Sequence, residues 1–179
     1  MMSENPQWVA VYTRTRAEKI VSQRLVDQGI ETYLPVRLEK HHWSDRVKMV
    51  SVPMFRSYLF VKMCRKTEMI VRETAGIVTI VKFGDKYSIV PESQIEMIRK
   101  LEQSASDLYV YETAHLKRGA RVVVQEGDFA GMEGTIVSNC KDGNFAVSVE
   151  ALRMSVVVTL DRNVLKVARR QDTKNSKSD

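Results

Sequence analysis

The stretch that most restricts the fold is EGDFAGMEGTIV, residues 126–137, where three glycines fall within eight residues. Strand-like runs flank it, because RVVV precedes the stretch and TIV ends it. Glycine adopts positive φ, or allows another backbone close by, at low steric cost. The spacing of Gly127, Gly131 and Gly134 therefore predicts a tight, strongly bent hairpin. Phe129, between the first two glycines, is predicted to plug one end of a small barrel.

A nucleotide-binding loop does not fit the same glycines. Their spacing is G-x₃-G-x₂-G, no crossover helix follows them, and the Lys-Ser/Thr pair of a Walker loop is missing. From Leu116 onward the chain instead contains five short strand-like runs separated by Gly and Asp turns, namely ARVVVQ, GTIVSN, FAVSVEA, MSVVVTL and VLKVA. This pattern predicts a small all-β domain over residues 116–168.

The first part of the chain mixes helical and strand patterns. WVAVYT and SYLFVKM are typical of strands, whereas RAEKIVSQRLVDQG and PESQIEMIRKLEQS have the period of helices, the first ending at Gly29. Two extended runs on either side of the turn Trp43–Arg46 predict a hairpin with a basic rim. We therefore predict a mixed α and β domain over residues 1–104, a linker over 105–115 and a disordered polar tail over 169–179.

The positive charge is concentrated in the predicted first domain. The whole chain has a net charge of +6, and residues 1–104 contain 17 Lys and Arg against 12 Asp and Glu. Residues 105–168 contain 7 against 8. A basic surface of this kind suits a polyanion, most simply nucleic acid, although a solubilising surface has the same composition.

Several classes of function are disfavoured by what the sequence lacks. No apolar run approaches the roughly 20 residues that span a bilayer, and no export signal is visible, so we expect a cytoplasmic protein without membrane contact. Cys64 and Cys140 lie far apart without partner spacing, and they fit reduced thiols in a cytoplasm better than a disulfide framework. The adjacent His41 and His42 would point to opposite faces of a strand. We therefore expect no metal, no cofactor, no catalytic residue and no enzymatic activity.

Two sets of runs resemble a known family. KRGARVVVQEGDFAGMEGTIV resembles the KOW motif of ribosomal proteins and NusG-type transcription factors. WVAVYTRTRAEKIVSQRL, YLP, VPMFRSYLFV and TAGIVTIVKFG resemble the N-terminal domain of NusG in the same order. TAGIVTIVKFG and YSIVP are similar to the specialised, operon-specific RfaH or UpxY-like paralogs. The resemblance implies an α+β fold: an antiparallel sheet of the NusG N-terminal type, flanked by helices and followed by a small all-β SH3-like (KOW) barrel.

The resemblance also implies a function and a binding site. Family members bind the clamp helices of the RNA polymerase largest subunit through an apolar pocket and reduce pausing or termination; the specialised ones serve long operons of the polysaccharide or capsule type. Carried over to this chain, the polymerase-binding pocket comprises Trp8, Phe55, Tyr58, Phe60, Ile80 and Val81. The alternative is that these residues fill the domain core. That alternative is at least as good for Phe60, Ile80 and Val81, whereas contact with polymerase is favoured for Phe55 and Tyr58. The run Arg56-Ser57-Tyr58 departs from the family's usual Pro-Gly-Tyr or Pro-Asn-Tyr.

Nucleic-acid contacts are implied for two basic segments. In the specialised paralogs the first helix reads an exposed non-template DNA strand, and the hairpin here could follow upstream duplex DNA. The residues concerned are Arg14, Arg16, Lys19, Gln23 and Arg24 in and before the helix, and Lys40, Arg46 and Lys48 in the hairpin. A solvated helix face is the alternative. Thr67 corresponds to a position near the polymerase gate loop in paralogs, but a helix N-cap is the preferred interpretation.

The partner of the predicted barrel stays open at this point. Relatives recruit a ribosomal protein or the termination factor Rho through it, and in RfaH it refolds as a helical hairpin. Because residues 116–168 are rich in Val, Ile and Thr, we predict a stable barrel without a helical state and a monomeric protein. Circular dichroism of segment 112–168 showing mostly helix would contradict the first prediction. The competing function is a KOW-containing, ribosome-associated RNA-binding protein.

Overall fold

The structure is a computed structural model that describes residues 2–42, 46–104, 108–115, 118–137, 144–160 and 164–167. Its N-terminal unit contains three helices and nine strands, some of only two residues. In chain order they are β1 (Gln7–Thr13), α1 (Glu18–Asp27), β2 (Thr32–Tyr33), β3 (Val36–His42), β4 (Val47–Pro53), β5 (Tyr58–Met63), α2 (Glu68–Glu73), β6 (Ile77–Ile80), β7 (Lys82–Phe83), β8 (Lys86–Tyr87), β9 (Ile89–Val90) and α3 (Glu92–Ser104).

Strand β1 is the centre of the main N-terminal sheet. It pairs antiparallel with β5 on one side and with β6 and β9 on the other, and β2 extends the sheet beyond β5. Its side chains alternate between two apolar clusters, because successive residues of a strand point to opposite faces. Val9 and Val11 join Val21 and Leu25 of α1, whereas Trp8 and Ala10 belong to the cluster that contains Ile95 and other residues of α3.

The predicted basic hairpin is present as a two-stranded ribbon separate from the main sheet. Strands β3 and β4 pair from Val36 with Pro53 to His42 with Val47. Pro35 separates β2 from β3, as expected for a residue that has no backbone N–H to donate. The predicted turn at Trp43–Arg46 falls mostly on residues 43–45, outside the described residues.

The C-terminal unit is a single antiparallel sheet of six strands in the described part of the chain. The order is β10-β14-β13-β12-β11-β15. Its elements are β10 (Leu108–Glu112), a 3₁₀ turn η1 (Thr113–His115), β11 (Arg118–Val124), β12 (Glu133–Val137), β13 (Asn144–Val149), a 3₁₀ turn η2 (Glu150–Leu152), β14 (Met154–Thr159) and β15 (Leu165–Val167). All five runs predicted as strands after Leu116 are therefore strands.

Strand β10 lies inside the segment predicted as a linker. It pairs with β14 along its whole length, so that Leu108 is opposite Val158 and Val110 is opposite Val156. Leu108 is buried and Val110 partly buried against the larger cluster. The apolar side chains of Leu108 and Val110 thus pack beside those of β14 and hold β10 at the edge of the sheet. The predicted tail at 169–179 lies outside the described residues.

The three glycines of the hairpin each have one of the two roles anticipated for them. Gly127 and Gly131 adopt φ values of 82° and 81°. Gly134 instead permits a close approach, because a Cβ atom there would lie 2.4 Å from the Phe145 ring and 2.7 Å from the Ala146 carbonyl oxygen. Phe129 is buried, and with neighbouring residues of this turn it lines a cavity whose other wall belongs to α3.

The N-terminal unit and the C-terminal sheet pack against each other through the α3 face. One continuous apolar cluster contains Phe55 and Ile98 from the first and Phe145 and Leu152 from the second. Among the described residues, hydrogen bonds from Gln94 and Arg37 join the units at the border of this cluster. The Gln94 side-chain amide donates to the Ser148 carbonyl oxygen at 3.0 Å, and the Arg37 guanidinium donates to the Leu108 carbonyl oxygen at 3.0 Å.

Candidate functional site

The turn Phe55–Tyr58 between β4 and β5 is the centre of the candidate site. The Tyr58 N–H donates to the Phe55 carbonyl oxygen at 3.2 Å and closes the turn. Ser57 adopts φ 63°, the left-handed conformation that normally favours glycine. Ser57 stands where the family pattern has Gly or Asn, the two residue types that adopt this conformation most readily.

Aromatic rings surround this turn on the α3 side of the sheet. Phe55 meets Phe60 edge to face, with the ring centres 5.9 Å apart. Tyr58 packs on Tyr12 at 5.1 Å, and Phe60 stacks on Tyr33 at 6.1 Å. Burial, followed by the neighbouring Tyr12, raises the pKa of Tyr58 above its usual range. The rings form a preorganised apolar surface of the kind that anchors protein interfaces.

The six residues predicted to bind polymerase differ in position and exposure. Five belong to the α3-side cluster or pack against it, namely Trp8, Phe55, Tyr58, Phe60 and Val81. Ile80 is on the opposite face, in the α1 cluster, because it alternates with Val81 along the chain. Phe55 and Phe60 are no more than 1% exposed, whereas Tyr58 is half-buried. The Trp8 indole N–H donates to Glu92 at 2.9 Å.

The C-terminal sheet packs against one side of this aromatic region. The 3₁₀ turn η2 lies against β1, and Leu152 within it shares the apolar cluster with Phe55. A cleft remains between Tyr58 and Phe83 on one side and Glu150 and Arg153 on the other. In this arrangement Tyr58 borders an accessible hollow, and Phe55 does not.

The predicted nucleic-acid residues in and before the first helix are exposed. They are Arg14, Arg16, Lys19, Gln23 and Arg24. The Lys19 ammonium donates to the Ser51 carbonyl oxygen of β4 at 2.8 Å and so joins α1 to the hairpin. The Arg24 guanidinium donates to the Ala75 carbonyl oxygen at 2.5 Å, and the Gln23 amide donates to Asp27 at 2.8 Å.

Arg14 and Arg16 are two cations that are available to an outside partner. Within the described part of the chain, neither guanidinium has a hydrogen bond or ion pair. Arg16 adopts φ 63°, a conformation that is unfavourable for residues other than glycine and is held by the surrounding structure. The loop before α1 therefore presents two unpaired positive charges next to the turn that contains Ser57.

The hairpin divides its basic residues between two faces. Lys40 is opposite Met49 and Lys48 is opposite His41, so Lys40 and Lys48 point to opposite sides of the ribbon. Arg46 is exposed beside the undescribed turn. The hairpin thus offers a basic edge rather than one basic surface.

Thr67 precedes α2, at the predicted N-cap position, but its hydroxyl does not cap the helix. The Thr67 hydroxyl accepts the Cys64 N–H at 3.0 Å and donates to the Cys64 carbonyl oxygen at 3.3 Å. Thr67 therefore stabilises the preceding loop, and the gate-loop contact stays a prediction.

Three residues of the site were not anticipated. Glu18 is buried beside Ser57, and Arg153 of the C-terminal sheet lies over the Phe83 ring. A glutamate in the first turn of a helix usually stays exposed, and Phe83 belongs to a strand of two residues. No periodic sequence pattern indicates a role for any of the three, because each of them contacts a residue that is distant in the sequence.

Comparison with models of protein families shows to which family the chain belongs. The model of the family described as transcription termination factor nusG matches residues 6–99, slightly more than half of the sequence. The chain belongs to the NusG family. The match runs from β1 into α3 and includes the aromatic turn and the basic loop. The family resemblance is thereby confirmed, and the NusG family consists of transcription factors rather than enzymes. The KOW motif and the kinship with specialised paralogs stay predictions.

A solved structure supports the same fold over both units. The chain from "Domain interaction in Thermotoga maritima NusG" is 18% identical, with a TM-score of 0.55 over 92% of this chain and 98% of that one. A chain of the MjSpt4:Spt5 complex is 12% identical, covering 90% and 97%, but its TM-score of 0.31 is too low to carry an argument. The curated proteins include no match. Within the described residues of this NusG-family chain, no helix is both long and apolar enough to cross a membrane.

Proposed function

We propose that this NusG-family protein is a transcription elongation and antitermination factor. Its N-terminal unit binds the clamp helices of the RNA polymerase largest subunit through the surface around Tyr58. The cations before and within α1 contact the non-template DNA strand of the transcription bubble, and the bound factor suppresses pausing or termination. Its C-terminal sheet acts as a KOW domain.

The observation that carries this proposal is the direct connection between the aromatic turn and the basic loop. The Thr13 N–H donates to the Ser57 carbonyl oxygen at 2.8 Å, which brings the segment before Arg14 against the turn that contains Tyr58. If polymerase binds at the aromatic rings, the non-template DNA strand of its bubble would lie close enough for Arg14 and Arg16 to contact it. Aromatic surface supplies affinity, and arginines add phosphate contacts that weaken as salt rises.

Polymerase binding requires the C-terminal sheet to leave the α3 face. The sheet and the clamp helices would compete for the same apolar surface, because Leu152 shares the apolar cluster with Phe55 and lines the cleft beside Tyr58. The described structure is then the closed form, and the affinity for polymerase is reduced by the fraction of molecules that are closed. The released sheet would be free to bind a ribosomal protein or Rho.

A pull-down of RNA polymerase tests the main contact. We expect Tyr58→Ala to reduce retention of polymerase at least tenfold, since removal of an interface aromatic commonly costs that much. Tyr109→Ala is the matched control, because Tyr109 is an exposed strand tyrosine of the C-terminal sheet. Retention of ribosomes instead of polymerase by the wild type would favour the ribosome-associated alternative.

Genome-wide occupancy of the tagged protein tests the specialised role. Confinement to one or a few long operons, such as polysaccharide or capsule operons, is the expected result for an operon-specific factor. Occupancy of most transcribed genes would make it a general factor and contradict that part of the proposal.

A further inference from the structure

We propose that Glu18 is a positioning residue: its buried carboxylate holds the Phe55–Tyr58 turn in the shape that binds polymerase. This inference rests on the proposed function and adds a residue outside both predicted binding sets. Glu18 is the first residue of α1 and yet only 5% exposed. Charged side chains are rarely so buried without a partner, and the partner here is the turn itself.

The contact is a short charge-assisted hydrogen bond to the backbone. The Ser57 N–H donates to Glu18 Oε1 at 2.6 Å, and Ser57 is 8% exposed. On its other side the Ser57 carbonyl oxygen accepts the Thr13 N–H at 2.8 Å. Both polar groups of the Ser57 peptide backbone are thus held by the segment that begins at Thr13 and ends at Glu18.

This double contact offsets an unfavourable backbone conformation. Ser57 has φ 63°, which residues other than glycine adopt at a cost unless their surroundings fix them. Without the carboxylate, the Ser57 N–H would be buried and unsatisfied, and the turn would relax toward a conformation that costs less. Phe55 and Tyr58 flank Arg56 and Ser57, so a relaxed turn would misplace both rings of the proposed site.

The same side chain joins the two proposed binding surfaces. Glu18 belongs to α1, and the next residue, Lys19, is one of the exposed cations. Arg16, two residues before Glu18, also has positive φ. Fixing Glu18 on the turn therefore fixes the start of α1, from which the cations project, relative to Tyr58.

Two substitutions distinguish the effect of the length of the Glu18 side chain from the effect of its charge. Glu18→Asp keeps the charge but is one methylene too short, whereas Glu18→Gln keeps an acceptor oxygen at full length and removes the charge. We expect Glu18→Asp to weaken binding of the full chain to core RNA polymerase about tenfold. We expect Glu18→Gln to weaken it less than about threefold. Glu73→Asp and Glu73→Gln, at an exposed helical glutamate, should leave affinity unchanged.

A second-site change and an amide measurement complete the test. Ser57→Gly should restore most of the affinity that Glu18→Asp removes, because glycine takes positive φ without help. Hydrogen exchange at the Ser57 amide should be slow in the wild type and in Glu18→Gln, and fast in Glu18→Asp. Equal affinities for the two Glu18 variants, or slow exchange at Ser57 in all of them, would overturn the proposal.

The two proposals fail in different ways. If Tyr58→Ala loses polymerase and Glu18→Asp does not, the positioning role is wrong and the proposed function stands. If Tyr58→Ala binds like the wild type, the proposed function is wrong, and the exchange rate of the Ser57 amide still decides whether Glu18 holds the turn.

Discussion

The guanidinium carbon of Arg153, in the C-terminal sheet, lies 5.3 Å from the centre of the Phe83 ring, in the N-terminal unit. This cation–π contact crosses the cleft beside Tyr58, and at an exposed site it is worth about 0.5–1 kcal/mol. Arg153→Ala should therefore shift the protein toward an open form and raise its affinity for polymerase about two- to fivefold. Binding to core polymerase, measured by fluorescence titration, checks this.

Arg153→Lys is the matched control, since it keeps a cation over the ring. Alanine and lysine are both L-residues, so neither relieves the positive φ of 53° at position 153. An affinity for polymerase that falls or stays constant in Arg153→Ala would contradict the idea that the C-terminal sheet covers the binding surface.

The exposed cations before and in α1 should contribute a term that depends on salt. We expect Arg16→Glu with Lys19→Glu to spare binding to core polymerase but to impair loading on elongation complexes with an exposed non-template strand. The slope of log K against log salt should fall by about 0.7 for each single-strand phosphate that the variant no longer neutralises. Titrations at several salt concentrations measure this slope.

The control for this charge reversal is Lys86→Glu with Lys166→Glu. Both lysines are exposed and lie outside the proposed nucleic-acid surface. The double variant has the same net charge as Arg16→Glu with Lys19→Glu. An equal loss of polymerase binding and of strand-dependent loading would count against the separation of the two surfaces.

Most elements of the fold could be predicted because their patterns are local. The sequence shows the helical spacing of α1 and the glycine that ends it. In the structure Val21 and Leu25 are buried as this spacing predicts, and Gly29 has a φ of 75°. So is the alternation of the strands after Leu116. Strand β10 was missed because five residues without turn signals resemble a linker until a neighbouring strand is known. Leu108 and Val110 become part of the sheet only through β14.

The sequence predicted which residues belong to the candidate site better than it predicted where their side chains lie. An apolar residue in a strand pattern suits a core, an interface or both, and the sequence does not distinguish them. The family resemblance selected Phe55 and Tyr58, but the sequence does not show that both would belong to one apolar cluster with residues of the C-terminal sheet. Ile80 was grouped with them although it faces α1. Glu18 escaped notice because its partner is a backbone N–H 39 residues away.

Gly134 should be the least replaceable glycine of the predicted KOW hairpin. A Cβ atom there would lie 2.4 Å from the completely buried Phe145 ring and 2.7 Å from the Ala146 carbonyl oxygen, which belongs to the backbone. Gly134→Ala should therefore lower the free energy of unfolding of the C-terminal sheet by about 3 kcal/mol. Gly127→Ala meets open space and has only its positive φ to accommodate, at about 1 kcal/mol. Chemical denaturation of both variants, followed by circular dichroism, would contradict this account if their order were reversed.

The hydrogen bond between Tyr87 and Glu68 should make a contribution to the free energy of unfolding that depends on pH. The Tyr87 hydroxyl donates to Glu68 Oε1 at 2.5 Å, and this bond, together with Arg72, holds the pKa of Glu68 below its ordinary value of 4.5. Because Glu68 is partly exposed, we expect Tyr87→Phe to lower the free energy of unfolding at pH 7 by only about 1 kcal/mol.

The difference between wild type and Tyr87→Phe should depend on pH in a defined direction. A carboxylate whose pKa is lower in the folded state stabilises the fold fully above pH 4.5, and this stabilisation is lost as the pH falls through the folded value. The two proteins should therefore differ at pH 7 and converge in acid. Urea unfolding of both proteins across this range measures the effect, with Tyr109→Phe as the control at an exposed tyrosine. A constant difference down to pH 3 would mean that the Tyr87 hydroxyl stabilises the protein through the Arg72 guanidinium, which donates to it at 2.6 Å, rather than through the Glu68 carboxylate.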